Sequence, residues 1–151
     1  MDQSELNFNP QTGIAQELEP GLRRIVARKP SPMTFRGTNT YMLGTQNITI
    51  IDPGPDDPNQ LTAILSALQK GQQITSILVT HSHIDHSHLA TALSQASGAK
   101  IYGFGPSDSG QSEVMRELIA SGYTGGGEGS DRDFLPDICL RDGDEIEGDV
   151  W

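Results

Sequence analysis

A chain of 151 residues and 16.3 kDa is long enough for one domain with a sizeable core. With 34% apolar residues it is neither collagen-like nor strongly disordered, and no apolar run approaches the roughly 18–20 residues of a membrane span. The net charge of −10 is uneven, residues 1–100 holding 8 acids and 7 bases and residues 101–151 holding 12 and 3, which argues against non-specific nucleic-acid binding.

The start, MDQSELNFNPQTG, has neither the basic nor the apolar region of a secretory leader. The single Cys139 excludes an internal disulfide framework and fits a reducing, cytoplasmic setting; it reads as a small buried apolar residue. Residues 1–20 read as a loosely ordered arm ending in the turn signal Glu19-Pro20-Gly21, and 21–151 as one domain. Leu22–Ala27 alternates weakly, as an edge strand does. Arg23, Arg24, Arg28, Lys29 and Arg36 crowd this stretch, and a solvated strand face is the simplest account of them. Residues 38–51 predict a hairpin with its turn at 44–47, stopped by Asp52-Pro53-Gly54-Pro55.

Pro58–Lys70 predicts a helix capped by Asp56 or Asp57, with Leu61, Ile64, Leu65 and Leu68 as its buried stripe. Ile74–Val79 is a short apolar strand, Leu89–Ala96 a helix closed by Gly98, and Lys100–Phe104 another strand. Strand–helix–strand–helix–strand at these lengths requires parallel pairing with crossover helices. The class is α/β, a mixed sheet with helices on one face and antiparallel strands leading. Ser112–Ala120 predicts a further helix, residues 125–130 a Gly-rich linker, and Ile138–Leu140 and Glu145–Trp151 strands around an Asp142-Gly143 turn.

All four histidines lie within eight residues, His81-Ser-His-Ile-Asp-His-Ser-His88. Neutral imidazole and carboxylate are ligands for zinc, iron and manganese. On a helix, His81 and Asp85 would share one face and His83 and His86 another. The strand end Ile77–Thr80 favours a strand-to-helix loop instead. There His81 and His83 point to one side, and Asp85 and His86 turn toward a neighbouring point. Open α/β sheets bind ligands at such carboxyl ends. His81, His83, Asp85 and His86 are the candidate metal set, and His88 lies one position too far around.

The run Thr80-His-Ser-His-Ile-Asp-His86 resembles the His-x-His-x-Asp-His signature of the metallo-β-lactamase superfamily. Thr34–Tyr41 and Ile50–Pro55 resemble that fold's early strands. The likeness is to the branch of β-lactamase-like endoribonucleases and similar hydrolases, with glyoxalase II more distant. It implies two zinc ions per complete site, iron or manganese being compatible. His81 and His83 would hold one ion, and Asp85 and His86 the second. Asp85 would also orient the nucleophile, a water whose pKa two metals lower from about 15.7 to near 7. Asp52 would be the buried support beneath the site; by itself it reads equally as a helix cap or turn former.

The resemblance implies the first half of an αββα sandwich. The family's remaining ligands include further histidines, and none follows His88, so the domain is expected to be truncated. The expected function is metal-dependent hydrolysis of a small-molecule ester or thioester, or of RNA, with no membrane partner; a homo-oligomer is compatible. The alternatives are a catalytically incomplete metal-binding half-domain that needs a partner, and a thioester hydrolase of the glyoxalase II type. Nucleic-acid binding through Arg23, Arg24, Arg28 and Arg36 is a third.

Overall fold

The computed structural model describes residues 9–123 and 129–149. Its strands form one sheet in chain order: β1 (Gln16–Glu19), β2 (Leu22–Val26), β3 (Asn39–Leu43), β4 (Asn47–Ile51), β5 (Gln73–Leu78), β6 (Lys100–Gly103) and β7 (Ile138–Cys139). Strands β1 to β4 pair antiparallel, and β4 to β7 pair parallel. The change follows from the connections. Three residues suffice for the β3–β4 turn, whereas β4–β5 and β5–β6 are bridged by helices α1 (Pro58–Ser66), α2 (Ile84–Ser87) and α3 (Ala90–Ser97). Both crossovers step the same way across the sheet, and right-handed connections then put their helices on one face. A fourth helix, α4 (Glu113–Ala120), lies between β6 and β7 in the chain.

The core sits between that face and the helices. Met42 stands opposite Ile50, Ile50 beside Ile77, and Ile77 beside Ile101. Ile25, Met42, Ile48, Ile50 and Ile77 are fully buried there, with Ile64 of α1 and Leu93 of α3 packed in the same cluster. Each such side chain contributes about 1.5–3 kcal/mol by leaving water.

Several sequence expectations meet a different local structure. Strand β2 is not at an edge, because residues 16–19 of the expected arm form β1 and pair with it. The helix from Pro58 ends at Ser66, not Lys70. Asp57 caps it through the Asn59 amide, but at its other end the Ala67 amide already reaches back to Ile64, and the Arg23 guanidinium takes the Ala67 carbonyl. Its buried stripe also includes Gln60, which is 2% exposed. Cys139 is exposed, because β7 is a two-residue edge strand with neither side chain covered. Residues 145–149 are not a strand. Of the Gly-rich segment, 125–128 lie outside the described residues. Among those described, no helix is long and apolar enough to cross a membrane.

Asp149 explains why residues 145–149 leave the sheet. Its carboxylate accepts the amides of Thr45, Gln46 and Asn47 at 2.9, 2.6 and 2.8 Å, closing the β3–β4 turn. The turn needs Gly44: its φ is 126°, and a Cβ there would stand 2.2 Å from the Asn47 carbonyl oxygen. The amides of Gln46, Asn47 and Thr45 pull the Asp149 carboxyl down to about 2. A depressed carboxyl stabilises the fold above its unfolded value, near 3.8, and loses that contribution as pH falls through about 2. The urea midpoint of Asp149→Asn should therefore lie below that of the parent at pH 5, and the gap should close toward pH 2.

Candidate metal centre

Parallel alignment sets the ends of β4 and β5 side by side. The Asp52 amide donates to the Leu78 carbonyl at 2.9 Å, which brings Asp52 next to Thr80. Asp52 has φ 51°, a left-handed backbone uncommon outside glycine, and is 7% exposed. The conformation turns its carboxylate under the histidine loop. There it accepts the Thr80 amide at 2.8 Å, the Thr80 hydroxyl at 2.8 Å and His86 Nδ1 at 2.9 Å. Of the two roles open for Asp52 in the sequence, the structure shows the support beneath the loop; Asp57 is the helix cap. From below, Gln60 donates to the Thr40 hydroxyl, which donates to the Asp52 carbonyl at 2.7 Å.

The histidine segment is a loop into the single-turn helix α2, not one continuous helix. The amides of His86 and Ser87 both reach the His83 carbonyl at 2.9 Å. The Gly54 amide donates to the His86 carbonyl, and the Leu89 amide to the Gly54 carbonyl, which lock α2 onto the turn after β4. On the outer side, the Ile84 amide reaches the Gly129 carbonyl at 3.0 Å.

These restraints bring the candidate side chains together. The His81 ring centroid lies 4.6 Å from that of His83 and 4.3 Å from that of His86. Asp85 Oδ2 is 3.3 Å from His86 Nε2 and accepts the Thr38 hydroxyl at 2.7 Å. His88 turns away, 3.8 Å from Asp131. Neither Thr38 nor Thr80 is given a role by the sequence, although both lie in the runs that carry the resemblance. A hydroxyl's partner 47 positions away leaves no local signal.

The proton inventory fixes the histidine faces. A carboxylate only accepts, so His86 Nδ1 carries a proton toward Asp52. The one Thr80 hydroxyl proton goes to Asp52, so the Thr80 oxygen accepts from His81 Nδ1 at 2.9 Å. In their neutral forms both rings therefore carry the proton on Nδ1 and a lone pair on Nε2, which in His86 faces Asp85 Oδ2 at 3.3 Å; an Nδ1 proton held by a second group is the arrangement that orients a metal-binding imidazole. Donor type and tautomer fit a divalent ion such as zinc. Among the described residues, no three His, Cys, Asp or Glu side chains form a ready-made cage.

Residues 33–151 match the family described as the metallo-beta-lactamase superfamily. The chain belongs to that superfamily. A beta-lactamase domain protein from Burkholderia ambifaria superposes with a TM-score of 0.64 at 21% identity, over 95% of this chain and 47% of that one. The superfamily fold is thus present as a partial domain, one mixed sheet with helices on one face. An atrochrysone carboxyl ACP thioesterase from Aspergillus fumigatus is 37% identical over 111 residues, 68% of this chain and 35% of that protein. One from Passalora fulva is 36% identical over 86 residues, 56% and 26% respectively. A beta-lactamase-like protein 2 homolog from Drosophila melanogaster is 39% identical over 93 residues, 56% and 32%. The chain spans about a quarter to a third of the length of these relatives.

Electrostatics separates the rings of this superfamily loop. Partial burial and the neighbouring His86 and His83 hold His81 below its ordinary value. Burial pushes His86 down too, but the hydrogen bond and charge of Asp52, helped by Asp85, outweigh it and hold that ring above its ordinary value. The His86–Asp52 pairing therefore stabilises the metal-free fold fully below pH about 6.5 and ceases to do so as pH rises through the raised value. A proton NMR titration of metal-free protein should find His86 titrating above His81. Asp52→Asn should bring His86 down; coincident titrations of the two rings would contradict the geometry.

Proposed function

We propose that this chain carries the metal-holding loop of a hydrolase acting on a small-molecule ester or thioester. The observation that carries the reading is the gathering of His81, His83, Asp85 and His86 beside Asp52, with the Nδ1 atoms of His81 and His86 both held by Thr80 and Asp52. In this reading His81 and His83 hold one zinc ion, and Asp85 and His86 a second. When bound, the ions supply Lewis acidity that brings water toward ionisation near neutral pH and polarises a carbonyl. The protein's own groups do the positioning. Asp52 fixes the His86 tautomer, and Thr80 passes that restraint to His81. Thr38 pins one oxygen of Asp85, so that the carboxylate is set to help orient the attacking water. Ser87 has no part as a nucleophile: its hydroxyl is spent on the His83 carbonyl at 3.0 Å.

The names of the Aspergillus and Passalora relatives support a thioester over RNA. The basic stretch supports RNA poorly, because Arg23 is turned onto Ala67 and Gln72 and Arg24 reaches Gln16. A second reading, a half-site that needs donors from elsewhere, draws on the lack of a ready-made cage among the described residues.

Zinc titration against a competing chelator separates the two readings. For the hydrolase, zinc binds with defined stoichiometry and a simple acyl thioester is cleaved in a zinc-dependent way. Asp52→Asn then weakens zinc binding about 10–100-fold, and Asp85→Asn abolishes turnover. Weak zinc binding without turnover selects the half-site, and no zinc binding at all refutes both.

A further inference from the structure

The three imidazoles are not all held in the same way. Thr80 and Asp52 take the Nδ1 atoms of His81 and His86. Among the described residues no side chain hydrogen-bonds to the His83 ring, whose neighbour is the His81 ring at 4.6 Å. His83 is fixed through its backbone instead. Its carbonyl accepts the amides of His86 and Ser87 and the Ser87 hydroxyl. On the other side, residues 129–131 lie along it as a strap. The Asp131 amide donates to the Ser82 carbonyl at 2.6 Å and the Ile84 amide to the Gly129 carbonyl at 3.0 Å, which pairs His83 with Ser130 in an antiparallel bridge. Side chains directly opposite in such a pair stand on one face, and His83 and Ser130 line the same cleft.

A bridge of two hydrogen bonds does not hold itself in water, so the strap needs an anchor. Asp131 supplies it, with a side chain that is 14% exposed. Its carboxylate accepts the Asp133 amide at 3.1 Å and lies 3.3 Å from the Ser87 hydroxyl, and its carbonyl accepts the Phe134 amide at 3.3 Å. The turn so formed carries Phe134 into the core, its ring against Gly103 of β6, where a Cβ would stand 3.3 Å away. One residue thus ties the strap to α2 on one side and to the sheet on the other.

We propose that Asp131 is the positioning residue of His83: it holds the strap that fixes the His83 backbone, and so aims the one ring that no second side chain orients. The proposal rests on the metal-holding reading and adds to it a group outside the histidine loop. Loss of the strap frees His83, while Asp52 and Thr80 keep His86 and His81 in place.

The test pairs amide hydrogen exchange of the metal-free 151-residue chain with zinc titration against a competing chelator. In Asp131→Ala the Ile84 amide should exchange at least tenfold faster, while the Thr80 amide, held by Asp52, keeps its parent rate. Zinc affinity should fall about tenfold, as for other groups that orient a metal ligand. Asp131→Asn keeps an acceptor for the Asp133 amide and should recover most of both losses. Gly129→Ala should loosen the same Ile84 amide: its Cβ would meet only Ile84 Cδ1 at 4.0 Å, but its backbone must hold φ 99°. Unchanged Ile84 exchange or unchanged zinc affinity in Asp131→Ala overturns the proposal. So does equal acceleration at Ile84 and Thr80, the mark of general unfolding, or an Asn variant as weak as the Ala variant. If Asp131→Ala does not fold, Gly129→Ala decides on the same two amides. A parent chain that binds no zinc refutes the metal reading; selective loosening of Ile84 then still upholds the strap's hold on His83.

Discussion

The site depends on one buried carboxylate. Asp52 ends β4 in a left-handed backbone and gathers three donors from two other segments. A buried carboxylate without partners costs several kcal/mol, so these hydrogen bonds are a condition of its burial. Once they form, they fix the strand end at Thr80, the ring of His86 and, through the Thr80 hydroxyl, the ring of His81. The strained φ at Asp52 is retained because the surrounding bonds over-determine it.

Sheet topology makes this possible. Only parallel neighbours place two carboxyl ends side by side, and β4–β5 is the first parallel pair in the chain. The antiparallel strands before it have a different part to play. From the β2–β3 connection comes Thr38, which pins Asp85, and from β3 comes Thr40, which supports the Asp52 carbonyl. Gly37 allows that approach: a Cβ there would stand 1.9 Å from the Ala27 carbonyl oxygen. The two halves of the sheet thus converge on the same few side chains, one holding the imidazoles and the Asp52 carboxylate, the other Asp85 and the Asp52 backbone.

The helices divide in the same way. Helices α1 and α3 bury Ile64 and Leu93 and belong to the core, whereas α4 buries nothing and borders the cleft beside His83.

The sequence by itself determined the α/β class, the 38–51 hairpin, the crossover helices and the placing of His81, His83, Asp85 and His86 on one strand-to-helix loop. These rest on local patterns: period-two alternation, caps, turn residues and histidines clustered on one short segment. It did not determine that Asp52 lies beneath His86, that Thr38 reaches Asp85, that Gln60 is buried, or that Asp149 closes a turn more than 100 positions earlier. Nor did it place residues 16–19 in the sheet or leave Cys139 exposed at its edge. Each of these is a pairing between distant segments. A polar side chain carries no mark of its partner until strand register brings the two within 3 Å, and that register is fixed by burial of the whole apolar face.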